Sequence, residues 1–252
     1  MLLAVDIGNT NIVIGGLEGR EVLFTHRLTT DRMLDGRTCA AAITAVLEQQ
    51  HAVPEGGILA SVVPPVTEAV REGMRLVLGK EPLVVSPSME TGLRIDMDNV
   101  SRVGSDRIVI AVAALERYQP PLILLDLGTA TTIEVVDRCC TYVGGCIIPG
   151  VATAVHALSR RAAQLPDIEL TAPVRVIGRN TVECMQSGAM YGTAAMLDGM
   201  IARMEEELGE RATVLATGGI APAIVPLCCT EMVLEEDLML QGLRRLYEMN
   251  VN

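Results

Sequence analysis

The chain has no tryptophan, one phenylalanine and only 2% aromatic residues in 252. Aromatic stacking platforms for single-stranded nucleic acid are thereby excluded. Basic residues are also scarce: 20 Lys and Arg stand against 31 Asp and Glu, for a net charge of −11. A nucleic-acid surface needs a basic field, so no nucleic-acid partner is expected. Half the residues are hydrophobic, yet none of the apolar runs reaches the length of about 18 residues that a membrane helix needs, so no membrane span is expected. A basic leader before the first apolar run is missing as well, which predicts no signal peptide and a cytoplasmic location. The seven cysteines include no C-x-x-C pair: Cys139–Cys140 and Cys228–Cys229 are adjacent, with no histidine at zinc-finger spacing. Buried, reduced thiols are the expectation. His26, His51 and His156 are scattered and carry no recognisable nucleophile motif. The core must therefore be built from Val, Ile, Leu, Met and Ala.

What is present centres on residues 121–137, PLILLDLGTATTIEVVD. The apolar run Leu122–Leu125 leads into Asp126, a Gly128-Thr129 turn follows, and a second extended run spans Thr131–Val136. A short apolar run closed by a turn signal and followed by β-branched residues predicts strand–turn–strand. The N-terminus repeats the pattern 120 residues earlier, with Leu2–Val5, Asp6, Gly8, Thr10 and Ile12–Ile14. Two ordinary hairpins with Asp in the turn would look alike locally. The later elements repeat too: LASVVPP at 59–65 and LATGGIAP at 215–222 each follow the first long helical stretch of their half. The expectation is an α/β protein made of two duplicated domains with mixed sheets, residues 1–119 and 120–252, meeting near Gln119-Pro120-Pro121.

In the first half the pattern predicts two more strands at 12–17 and 22–28, a helix over 38–50, a strand at 58–63, a helix over 67–78 and a strand at 83–85. Residues 86–105 are polar and turn-rich without periodicity, as in a functional or disordered loop. A strongly apolar helix then covers Ile108–Leu115, with Ser105 as its N-cap and Asp106 in the first turn, where its charge suits the helix dipole. The second half predicts strands at 121–127, 131–137 and 141–148 and a helix over 151–163. A long helix from Asn180-Thr181 to about Leu208, a strand at 214–216 and a last helix from Asp237 to Met249 complete it. Methionines at 185, 196, 200 and 204 mark a stripe of the long helix that suits a core or a dimer partner.

Two Asp-x-Gly turns in homologous halves suit a nucleotide phosphate, because backbone N–H groups in a glycine-containing turn form an anion-binding concavity. A carboxylate beside a triphosphate is repelled unless a cation lies between them, so Asp6 or Asp126 in this role implies Mg²⁺ or another hard cation. Asp126 as a turn-capping residue is the plainer alternative, as helix capping is for Asp106.

The motifs DIGNTN (6–11), SVVPP (61–65), VGSDR (103–107), DLGTATT (126–132), GGCIIPG (144–150), GRNTVECMQSG (178–188) and ATGG (216–219) follow in an order that resembles type III pantothenate kinase. That family belongs to the acetate-kinase, sugar-kinase, heat-shock-protein-70 and actin superfamily, built from two ribonuclease-H-like halves. The resemblance implies ATP-dependent phosphorylation of pantothenate, the first step toward coenzyme A, in a homodimer that uses ATP with Mg²⁺ and a monovalent cation, K⁺ or NH₄⁺. By position it implies an ATP-binding set of Asp6, Ile7, Gly8, Asn9, Thr10, Asn11, Ile12 and Val13, with Thr129 from the second half. It implies Asp106 as the general base, with Gly104, Ser105, Asp106, Arg107 and Thr181 at pantothenate and Asp126 at the monovalent cation. Ser105 stands where the family motif has Ala, and Met97 where it often has Tyr. A non-catalytic paralogue acting as a nucleotide-binding regulator is the alternative function.

Overall fold

A computed structural model describes residues 1–86 and 88–251. In chain order the elements are β1 (Leu2–Ile7), β2 (Asn11–Glu18), β3 (Glu21–Thr29), α1 (Gly36–Gln49), β4 (Gly56–Ser61), α2 (Pro64–Leu78), β5 (Leu83–Val84), β6 (Arg94–Ile95) and α3 (Ser105–Arg117). They continue with β7 (Leu122–Leu127), β8 (Ala130–Val136), β9 (Thr141–Pro149), α4 (Val151–Arg161), α5 (Thr181–Leu208), β10 (Thr213–Thr217), α6 (Ala221–Ile224), β11 (Val233–Leu234) and α7 (Leu238–Asn250). The chain forms two compact units. One comprises Met1–Leu93, Asp98–Arg117 and Asp237–Asn252; the other comprises Arg94–Met97 and Tyr118–Glu236.

The first unit holds a five-stranded sheet in the order β3-β2-β1-β4-β5. β1 runs antiparallel to β2 and parallel to β4. Leu3, Val5 and Ile7 enter a core with Ile12, Ile14, Cys39, Ile43, Val66, Val70 and Met74, so α1 and α2 cover one face. Strand alternation turns Ala4 and Asp6 to the other face. That face is covered by α3 and α7. A Cβ on Gly15 would lie 2.6 Å from Cδ1 of Leu240, and Gly242 of α7 sits against the backbone and side chain of Val109 of α3. Every residue from Ile108 to Ala114 is buried, which accounts for the unbroken apolar run. Arg244 of α7, almost wholly buried, pairs with Glu116 of α3, and Arg20 at the β2–β3 turn reaches the same carboxylate at 3.0 Å. The helix that closes the chain therefore packs with the first sheet.

The second unit holds a six-stranded sheet in the order β11-β10-β7-β8-β9-β6. The series β9-β8-β7-β10-β11 repeats β3-β2-β1-β4-β5 in order. The directions repeat too: β7 is antiparallel to β8 and parallel to β10, which is parallel to β11. Ile123, Leu125, Leu127, Ile133 and Val135 pack against Met190, Ala194, Leu197 and Ile201 of α5. The fold is the expected one: α/β, with two copies of a ribonuclease-H-like plan on mixed sheets.

Four local expectations change. Residues 86–105 are not wholly irregular: Arg94–Ile95 add an edge strand beside β9, held further by Asp96 N–H donating to Tyr142 O at 2.9 Å. The helix α2 starts at Pro64, ahead of the expected Thr67, because proline is at home in a helix's first turn. Ser105 begins α3, and its hydroxyl is spent on the carbonyl of Ser61 rather than on a cap. Of the seven cysteines, all free, only Cys39 is fully buried, and Cys139, Cys140, Cys184 and Cys229 are exposed.

Candidate functional site

The first half-site grows from the end of β1. Asp6, partly buried, stands opposite Val13 on β2 and Ala60 on β4. Ile7 belongs to the core, and after it the chain turns through Gly8, Asn9 and Thr10 into Asn11, Ile12 and Val13. Gly8 N–H donates to Asn11 O at 2.9 Å, closing a tight turn whose tip, Asn9 and Thr10, is exposed. Thr30, just past β3, fastens this turn from the side: its hydroxyl donates to Gly8 O at 2.7 Å and its N–H to Thr10 O at 2.9 Å.

The segment Gly104–Arg107 reaches the same end of the sheet. Val62 N–H donates to Ile7 O at 3.1 Å, so the chain leaving β4 runs alongside the end of β1. Ser105 Oγ donates to Ser61 O at 3.0 Å and pins the start of α3 to that strand end. The helix α3 covers the face to which Asp6 points, so Asp6, the Gly8–Thr10 turn and Asp106 gather at one end and one face of one sheet. Gly104, Ser105, Asp106 and Arg107 are all partly buried. Oδ1 of Asp106 accepts the N–H of Arg107 at 2.8 Å, which orients the carboxylate at the helix start.

The second half-site lies in the other unit. Asp126 ends β7, opposite Thr132 on β8 and Thr217 on β10. Gly128 N–H donates to Ala130 O at 3.0 Å, whereas in the first copy the equivalent bond reaches Asn11; the second turn is thus one residue shorter. Gly218, at φ +98°, lies so close that a Cβ there would sit 2.6 Å from Asp126 Oδ1. Thr129 is exposed at the turn, and its carbonyl accepts Gly150 N–H at 3.1 Å and the Thr153 hydroxyl at 2.8 Å. Thr181 belongs to a different element: it is the exposed first residue of α5, whose cap is Asn180 accepting Glu183 N–H at 2.9 Å.

Both aspartates suit a hard cation held through oxygen, and Gly218 packs directly against Asp126 Oδ1 and the Leu127 backbone. Among the described residues no group of three or more His, Cys, Asp or Glu could hold a metal alone. A cation here would draw its remaining ligands from water and phosphate oxygens, as Mg²⁺ does at nucleotide sites. Sequence reasoning missed Thr30 and Thr153, although SVVPP and ATGG had already marked Ser61 and Gly218. The one signal available was spacing, since Thr30 and Gly150 stand 120 residues apart, the interval that separates Asp6 from Asp126.

The model of the family described as type III pantothenate kinase matches residues 2–203. The chain belongs to the type III pantothenate kinase family. Among curated relatives of that name, the protein of Moorella thermoacetica is 43% identical over 254 residues, spanning 99% of this chain and 100% of its own. That of an Exiguobacterium species is 43% identical over 253 residues, spanning 99% of each. Component A of the (R)-2-hydroxyglutaryl-CoA dehydratase of Acidaminococcus fermentans superposes with a TM-score of 0.57 at 13% identity, over 98% of this chain and 96% of its own. At that identity the likeness bears on the fold alone, which is the actin-like ATPase fold.

Proposed function

We propose that the chain transfers the γ-phosphoryl group of ATP to the primary hydroxyl of pantothenate, giving 4'-phosphopantothenate, the first committed intermediate of coenzyme A synthesis. The observation that carries this reading is the tie from Ser105 to Ser61, which sets the Asp106 carboxylate at the same end and face of the sheet as the Asp6–Thr10 turn. A proton acceptor beside a phosphate-binding turn is what alcohol phosphorylation needs. The non-catalytic alternative is not favoured, since full-length relatives carry the kinase name and Asp6 and Asp106 are both present.

In this mechanism residues 6–13 hold the phosphates, N–H groups at the tip of the turn donating to their oxygens, and Thr129 is the ATP-binding counterpart in the second copy. Asp106 accepts the hydroxyl proton as the oxygen attacks the γ-phosphorus. Gly104, Ser105, Arg107 and Thr181 receive pantothenate, the Arg107 guanidinium being suited to its carboxylate. Asp6 would hold Mg²⁺ and Asp126 a monovalent cation, K⁺ or NH₄⁺; bound there, such ions neutralise charge gathering on the phosphates. Sequence halves at 1–119 and 120–252, a cytoplasmic location and a homodimer complete the proposal. Among the described residues no helix is long and apolar enough to cross a membrane. A dimer would cover exposed apolar side chains such as Ile147, Leu158, Val176 and Ile177.

A coupled ADP-release assay at millimolar ATP, in potassium or ammonium, tests the reading. Pantothenate should stimulate ADP release; a rate that ignores pantothenate would remove the assignment.

A further inference from the structure

The same device appears twice at the two turns, and nothing in the reaction as described uses it. In the first copy the residue after the third strand, Thr30, donates its N–H to Thr10 O at 2.9 Å and its hydroxyl to Gly8 O at 2.7 Å. In the second copy the residue after the third strand is Gly150, and its N–H donates to Thr129 O at 3.1 Å. A side chain on Gly150 would run into the carbonyl oxygens of Gly128 and Thr129, so a hydroxyl cannot come from that position. It comes instead from Thr153, one turn into α4, which donates to Thr129 O at 2.8 Å. Two different sequence solutions thus place a threonine hydroxyl and a backbone N–H on the carbonyls of each turn.

A turn's peptide groups have two ends. Carbonyls held outward by a clamp leave the opposed N–H groups aimed the other way, toward the anion, and carbonyl oxygens loose at the tip would face phosphate oxygens with like partial charge. We infer that Thr30 is a positioning residue for the nucleotide, its hydroxyl fixing the orientation of the Gly8–Asn9 peptide so that the Asn9 N–H faces the phosphates. Thr30 acts through the turn and does not itself touch the reacting atoms. The inference rests on the reading of residues 6–13 as the phosphate-binding turn.

The variants are Thr30→Val, which keeps shape and β-branching but removes the hydroxyl, and Thr30→Ser, which keeps the hydroxyl. Each is measured for ATP affinity by titration calorimetry and for kcat and both KM values in the ADP-release assay. Thr30→Val should weaken ATP binding and raise the ATP KM about fivefold, the loss of one hydrogen bond of roughly 1 kcal/mol, with the pantothenate KM unmoved. Thr30→Ser should return both to within about twofold of the parent. An unchanged ATP affinity in Thr30→Val, or an equal loss in Thr30→Ser, overturns the inference. A parent chain that binds ATP and shows the Val/Ser contrast, yet ignores pantothenate, keeps the clamp and removes the proposed function. A parent chain that binds no ATP overturns both.

Discussion

Gly104 leaves open the space that Oδ1 of Asp106 occupies: a Cβ on residue 104 would run into that oxygen. The obstructing atom is the end of a flexible side chain, and the next nearest neighbours, Cγ of Asp106 and Cδ of Arg107, are 3.6 and 3.7 Å away. A methyl group here can therefore be accommodated by moving the carboxylate, with little cost to the fold. Gly104→Ala should fold with a near-parental melting temperature and lose about a hundredfold in kcat, as misplaced catalytic groups do. Steady-state kinetics beside a thermal melt checks this; parental kcat would mean that the position of the Asp106 carboxylate does not matter.

Asp198, midway along α5, accepts the N–H groups of Cys229 and Thr230 at 2.9 and 2.8 Å and so secures the loop beyond α6. Burial works to raise its carboxyl, but the Cys229 and Thr230 N–H groups outweigh it and hold the group below its ordinary value of 3.8. A depressed folded-state carboxyl stabilises above the unfolded value, and that contribution is lost as pH falls through the lower, folded one. Asp198→Ala should therefore cost about 2 kcal/mol at pH 7 and progressively less below pH ~4. Urea unfolding of both proteins at several pH values reads this, and a pH-independent deficit would contradict it.

The thiols divide by environment. Burial pushes the Cys39 and Cys228 thiols up to about 11, leaving little thiolate near neutrality. Cys139, Cys140, Cys184 and Cys229 are exposed. Iodoacetamide at pH ~8 should alkylate the exposed four first, with Cys39 and Cys228 following slowly, as peptide mass mapping over time would show. Early labelling of Cys39 would mean the packing between α1 and α2 opens readily.

Cys140 sits in the β8–β9 hairpin at φ +57°, where a side chain is strained and glycine is not. Relief of about 1–2 kcal/mol, offset in part by the greater unfolded-chain freedom of glycine, predicts that Cys140→Gly stabilises by about 0.5–1 kcal/mol. Chemical denaturation decides it, and a less stable variant would show that the Cys140 side chain contributes contacts of its own.

Much of this arrangement is legible in the sequence. The turn signals at Asp6 and Asp126, the β-branched runs after them and the echo of 59–65 in 215–222 predicted the two copies, because strand period and turn chemistry are local. Four features were not legible, for physical reasons. The apolar pattern of α7 requires a buried face but does not say which sheet supplies it, and Leu240 finds Gly15, more than two hundred residues earlier. Ser105 has the composition of an N-cap, yet its hydroxyl goes to Ser61, a choice made by tertiary packing. The two turns share an Asp-x-Gly spelling, and only the hydrogen bonds Gly8–Asn11 and Gly128–Ala130 reveal that one is a residue shorter. Thr30 was invisible as a clamp because a threonine after a strand is common and its partner, Gly8 O, is 22 residues away.

In the proposed reaction Asp106 takes the proton from the attacking hydroxyl of pantothenate. The most direct measurement compares Asp106→Asn with the parent for pantothenate-stimulated ADP release and for ATP binding by titration calorimetry. Turnover should fall about 10²–10⁴-fold with ATP affinity and thermal stability retained. Near-parental turnover in Asp106→Asn would contradict it.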